Sequence, residues 1–177
     1  MSYNLLKGKK GIIFGALNES SIAWKIAEKA YEEGAIISLS NTMSAIRFGD
    51  IDKLAEKTKS IVIAADATNT NDIENVFDKS MEFFGGKVDF ILHSIGMSLN
   101  VRKNKAYHEL DYNFFQKTLD ISALSFHKML QIARSKDAIN EWGSVVALSY
   151  IAAQRTLHGY NDMADAKALL ESIARSF

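Results

Sequence analysis

The chain has 177 residues, with 21 Lys plus Arg against 21 Asp plus Glu, 47% apolar and 24% charged residues, the balance of an ordinary soluble domain. A formal net charge of zero argues against a nucleic-acid partner, and no apolar run approaches the roughly eighteen residues of a membrane span. Cysteine is absent, which excludes disulfides, thiolate metal sites and cysteine nucleophiles and fits a cytoplasmic location. Proline is absent too, which suggests a missing segment, and the even composition of residues 1–177 predicts a single domain without linker or repeat.

In chain order, Lys10 to Gly15 reads as a strand ending in glycine, and Ser21 to Glu33 as a helix with Ile22, Ala23, Ile26, Ala27 and Ala30 at helical spacing. Ala35 to Ser40 is a second strand, Asp52 to Thr58 a short helix and Ser60 to Ala65 a third strand. Asn71 to Phe84 carries one apolar stripe and is closed by Gly85 and Gly86. Val88 to His93 is strand four, Asn100 to His108 a polar loop, Asp111 to Ser135 a long helix and Gly143 to Ser149 strand five, with a last helix from near Tyr160. Near-continuously apolar strands alternating with helices predict an α/β fold, a doubly wound, Rossmann-like parallel sheet. Ligands of such sheets bind at the carboxyl ends of the strands, so the residues after each strand are the candidates.

After strand one, Gly15 and the turn to Ser21-Ile22-Ala23 offer a helix N-terminus suited to phosphate; the alternative is that Ser20 or Ser21 only caps the helix. Strand two ends at Ser40-Asn41-Thr42 without the acidic residue that often holds an adenosine ribose, while Arg47 is within sequence reach of a 2'-phosphate or is simply a solvated arginine. Asp66-Ala67 follows strand three, where the carboxylate could accept from an adenine amino group or could cap the next helix. His93-Ser94-Ile95-Gly96 ends strand four; Gly96 lets a planar ligand lie against the backbone, and His93 reads as a hydrogen-bonded core histidine because no metal-ligand spacing accompanies it. After strand five come Tyr150, then Tyr160, then Lys167 seven residues later, about two helical turns, which places phenol and ammonium on one face and predicts a phenol eased toward ionisation.

Together the Gly15-x5-Ser21-Ile22-Ala23 turn, Asp66, His93-Ser94-Ile95-Gly96, Asp120-Ile121-Ser122 and Tyr150-x9-Tyr160-x6-Lys167 closely resemble the NAD(P)H-dependent enoyl-acyl-carrier-protein reductases of bacterial fatty-acid synthesis. These are a divergent branch of the short-chain dehydrogenase/reductases. The resemblance implies hydride transfer from NADH, with NADPH as the alternative, to the β-carbon of a trans-2-enoyl thioester of acyl carrier protein. By the same resemblance Tyr160 hydrogen-bonds the thioester oxygen, Lys167 holds the nicotinamide ribose, Tyr150 shapes the acyl pocket and Ser98 touches substrate. It assigns the cofactor to Gly15, Ser21, Ile22, Thr42, Asp66, Ala67, Ser94, Ile95, Gly96 and Lys167. It further implies a homotetramer, with Ala164, Leu169, Ile173 and Phe177 of the last helix in subunit contacts, and further strands and a lid beyond Phe177. A non-catalytic dinucleotide-binding or association fragment and a ketoreductase of the same superfamily are the alternatives.

Overall fold

The computed structural model describes residues 2–177, and among them five strands pair in parallel. These are β1 (Lys10–Phe14), β2 (Ile36–Asn41), β3 (Ile61–Ala64), β4 (Val88–His93) and β5 (Ile139–Ala147), in the order β3-β2-β1-β4-β5. Alternation along the strands builds two apolar layers. Ile12 and Phe14 of β1 face one side with Ile91 of β4, whereas Ile13 faces the other with Leu92.

Helices α1 (Ile22–Glu32) and α3 (Ile51–Thr58) cover the second face through Ala23, Trp24, Ala27 and Leu54. On the first face, α4 (Thr70–Phe84) contributes Ile73, Val76 and Phe77, α7 (Ser125–Ser135) adds Phe126 and Met129, and α8 (Asn161–Ser176) adds Leu170 and Ile173. Fully burying one such side chain is worth about 1.5–3 kcal/mol, so these layers supply the main driving force. Gly85, at φ 65°, ends α4 as the pattern predicts.

Four features depart from the expectations. Two short helices, α2 (Met43–Phe48) and α5 (Leu99–Arg102), occupy segments that carry no apolar stripe; each starts on a hydroxyl cap, Thr42 accepting from the Ala45 amide and Ser98 from the Val101 amide. The helix expected over Asp111 to Ser135 is α6 (Tyr112–Leu119), a π-helical turn at Asp120–Leu124, then α7. Strand β5 begins at Ile139 and not Gly143, because a bulge with Trp142 at φ 65° takes up the register shift between Val88 and Phe90 of β4. Ile173 is a core residue, 8% exposed, and so is not interface surface; Leu169 also packs against the core, while Phe177 is exposed and stacks edge-on against His127.

No helix among the described residues is long and apolar enough to cross a membrane.

Candidate active site

Strand order reverses at β1, which lies between β2 and β4, so the turns after β1 and β4 start side by side at the carboxyl edge of the sheet. The Gly15 amide donates to the Ser40 carbonyl at 2.9 Å and the Ser94 amide to the Phe14 carbonyl at 3.2 Å. Gly15 sits at φ 94°, and a Cβ there would fall 2.0 Å from the Ser94 carbonyl oxygen. Only glycine permits that approach. Ser21 precedes α1 without capping it: its Oγ accepts from the Leu17 amide at 3.2 Å and donates to the Asn18 carbonyl at 2.8 Å. The hydroxyl therefore shapes the turn and leaves the first amides of α1, beside exposed Ile22, free of a side-chain cap, an arrangement that attracts an anion. Asn41, which carried no sequence signal, ties this turn to the end of β2 by donating to the Ala16 carbonyl at 2.8 Å.

At the next strand ends the polar groups are largely engaged. Thr42 Oγ1 caps α2, and the Arg47 guanidinium lies 5.6 Å over the ring of Phe48. Asp66 Oδ1 accepts from both the amide and the hydroxyl of Thr68, ordering the turn at Ala67, while Asn69 caps α4. Asp66 therefore orders the turn before α4 and does not cap that helix, with Oδ2 in no hydrogen bond among the described residues.

His93 is fully buried, with Nε2 and Ser125 Oγ 2.8 Å apart and its ring edge-on to Phe126. Burial, and then the Lys167 charge, push its imidazole down to about 3, so the ring is neutral. The π-helical turn brings Ser122 to the same loop: its Oγ accepts from the Met97 amide at 3.0 Å, holding Ser94-Ile95-Gly96 against α6 and α7. Ser98, expected to touch substrate, does not face a cleft. It is 4% exposed, and its hydroxyl donates to Asp162 at 2.7 Å while capping α5.

Tyr150 and Tyr160 meet, with ring centroids 4.8 Å apart and planes inclined by 42°. Burial, and then the adjacent Tyr150 phenol, raise Tyr160 above its ordinary value. The expected lowering by Lys167 is not found; the Lys167 ammonium donates to the Leu148 carbonyl at 2.7 Å. Lys167 is 7% exposed, and its burial pulls the ammonium below its ordinary value. Glu171, one turn further along α8, accepts from Ser149 Oγ at 2.7 Å and Gln154 Nε2 at 3.1 Å, bracketing the turn that carries Tyr150. A Cβ built on Gly96 meets nothing closer than Lys167 Nζ at 3.7 Å and Met163 at 3.8 Å. These are ordinary contacts, and the absence of a side chain at Gly96 leaves its backbone accessible beside the ammonium. A cleft of about 940 Å³ lies next to this site; it is lined by Lys105, Tyr107, Arg155 and His158 and reaches Gly159 and Asn161 on either side of Tyr160, but Tyr150, Tyr160 and Lys167 do not line it.

The sheet order defines a Rossmann-like α/β domain. Residues 15–177 match the family model described as enoyl-(acyl carrier protein) reductase, and the chain belongs to that family. It is 34% identical over 172 residues to enoyl-[acyl-carrier-protein] reductase [NADH] 1 of Rhizobium meliloti, covering 97% of this chain and 62% of that protein. It is 35% identical over 177 residues to the enoyl-[acyl-carrier-protein] reductase [NADH] FabI of Rickettsia bellii, covering 99% and 66%. The crystal structure of FabI from Alistipes finegoldii superposes with a TM-score of 0.97 at 72% identity, over 99% of this chain and 67% of that one; a FabI–NADH complex from the same organism gives the same TM-score, over 62% of its chain. The chain thus spans about two thirds of the length of these relatives.

Proposed function

We propose that residues 1–177 form one dinucleotide-binding domain that binds NADH and serves the reduction of trans-2-enoyl thioesters of acyl carrier protein in fatty-acid synthesis. The observation that carries this reading is the convergence of Gly15, Ser94, Gly96, Tyr150, Tyr160 and Lys167 at one sheet edge. Relatives whose names specify NADH, and a FabI–NADH complex of the same fold, support the choice of cofactor.

As the resemblance implies, the Gly15 turn and α1 N-terminus would hold its pyrophosphate, Asp66 and Ala67 its adenine, Thr42 its adenosine ribose, and Ile95, Gly96 and Lys167 its nicotinamide end, a placement that the uncapped start of α1 and the accessible Gly96 backbone beside Lys167 support. When bound, NADH supplies the hydride. Tyr160, held protonated by burial, donates a hydrogen bond to the thioester oxygen as it gains enolate character. Such an oriented donor is worth about 3–4 kcal/mol of barrier. Tyr150 packs on the Tyr160 ring and borders the acyl group. A ketoreductase would require a serine hydroxyl beside Tyr160, and the hydroxyl of Ser149 is held instead by Glu171.

We also propose a cytoplasmic homo-oligomer, a homotetramer as the family resemblance implies, with the last helix, α8, in subunit contacts. Calorimetric titration with NADH, NAD and NADPH, followed by an enoyl-thioester assay that reads NADH oxidation, tests the central reading. Saturable NADH binding is expected; absence of binding by all three nucleotides overturns it.

A further inference from the structure

The start of α8 contains a carboxylate that no part of the proposed reaction uses. Asp162 is 0% exposed and forms no ion pair with any described Lys or Arg. Removing a carboxylate from water is costly unless hydrogen bonds replace the lost hydration. Three do so: Ser98 Oγ donates to Oδ1 at 2.7 Å, and Asn100 Nδ2 and Thr118 Oγ1 donate to Oδ2 at 3.0 and 2.8 Å, the single Thr118 proton being shared with the Phe114 carbonyl at 2.9 Å.

The three donors come from different places. Ser98 and Asn100 belong to the segment that continues from Ser94-Ile95-Gly96, and Thr118 belongs to α6. Asn100, itself 0% exposed, also clasps the loop that follows: its Nδ2 donates to the Asp111 carbonyl and its Oδ1 accepts from the Asp111 amide, both at 3.1 Å. That loop, residues 101–110, forms the Lys105–Tyr107 wall of the cleft beside Tyr160. Asp162 itself lies two residues after Tyr160 and five before Lys167 on α8.

We infer that Asp162 is a positioning residue that locks the Tyr160–Lys167 end of α8 to the Ser94–Asn100 turn and to α6 and, through Asn100, to the 101–110 loop that lines the neighbouring cleft. The inference rests on the dinucleotide reading only for its effect on NADH. A buried anion suits the task because it accepts from three donors at once and gives the junction one geometry. Asparagine at this position keeps an acceptor for Asn100 and Thr118; alanine keeps none.

The test compares Asp162→Ala and Asp162→Asn with Val76→Ala, a core change in α4 away from the cleft, by NADH calorimetry, thermal melting and amide exchange. Asp162→Ala is expected to weaken NADH binding about tenfold and Asp162→Asn less than about threefold. Val76→Ala should lower the melting temperature without changing NADH affinity. The Val101 and Asp111 amides, which donate to Ser98 Oγ and Asn100 Oδ1, should exchange at least about tenfold faster in Asp162→Ala and not in Val76→Ala. Unchanged NADH affinity in Asp162→Ala, or an equal loss in Val76→Ala, overturns the inference. If the unaltered chain binds no NADH, the dinucleotide reading fails and amide exchange alone decides this one, with unchanged Val101 and Asp111 exchange overturning it. If Asp162→Ala does not fold, Thr118→Val and Ser98→Ala take its place, each expected to cost about threefold in NADH affinity, and no loss in either is the overturning result.

Discussion

The Lys167 ammonium on α8 donates to the carbonyl oxygen of Leu148, just beyond β5, at 2.7 Å. One hydrogen bond offsets only part of the desolvation of a buried ammonium, which is why its affinity for the proton falls. The remaining donors of Nζ lie beside the side-chain-free backbone of Gly96.

Separate roles for Lys167 and Tyr160 follow from that geometry. Lys167→Ala should weaken NADH binding about tenfold or more, whereas Tyr160→Phe should leave NADH affinity within about twofold and lower turnover of an enoyl thioester about a hundredfold. Calorimetry and single-turnover kinetics on both variants check this. Equal losses of cofactor affinity would make Tyr160 a packing residue.

Two glycines at the same edge should respond differently to alanine. At Gly15 the added Cβ collides with the Ser94 carbonyl and the backbone is left-handed, so Gly15→Ala should cost about 1–3 kcal/mol or more of stability together with NADH binding. At Gly96 the Cβ meets only ordinary contacts, so Gly96→Ala should melt within a few degrees of the parent and lose NADH affinity alone. Paired melting curves and titrations separate the two effects.

His93 predicts an acid-sensitive fold. Its folded-state value of about 3 lies below the ordinary 6.5, so between these limits the unfolded chain binds a proton that the folded chain refuses. Stability is therefore complete above about pH 6.5 and falls as pH drops toward 3, by up to about 1.4 kcal/mol per pH unit. Urea midpoints between pH 6.5 and 5, above the range where carboxylates titrate, should show this slope in the parent chain and lose most of it in His93→Gln. An equal slope in the variant would assign the effect elsewhere.

Strand β5 has no described neighbour on its outer side, and Trp142, Val146 and Phe177 are exposed, Trp142 at 95%. A bare apolar edge favours pairing with another chain. For residues 1–177 expressed alone, light scattering at micromolar concentration should give a mass above one subunit, and Val146→Lys should shift it downward. A parent chain that stays monodisperse and monomeric would show that the edge is tolerated in water.

Much of the architecture was legible because it rests on local patterns. The apolar runs at Lys10–Phe14, Ile36–Asn41, Ile61–Ala64 and Val88–His93 are strands because buried parallel strands are apolar on both faces, and Ile73, Val76 and Phe77 mark a helix by their spacing. The strand-end candidates Gly15, Asp66, Gly96, Tyr150, Tyr160 and Lys167 followed from that order and from family motifs. Tertiary structure alone decided which polar groups were still free. Ser98 is buried against Asp162, the Lys167 ammonium donates to the Leu148 carbonyl, and Asn41 latches the turn after β1. Each of these contacts joins residues far apart in the chain, and a side-chain donor has no periodicity by which its distant acceptor can be read. The same holds for Asp162: in sequence it is an acid in the first turn of a helix, as many solvated residues are, and only the packing of α5 and α6 around it makes it a buried junction.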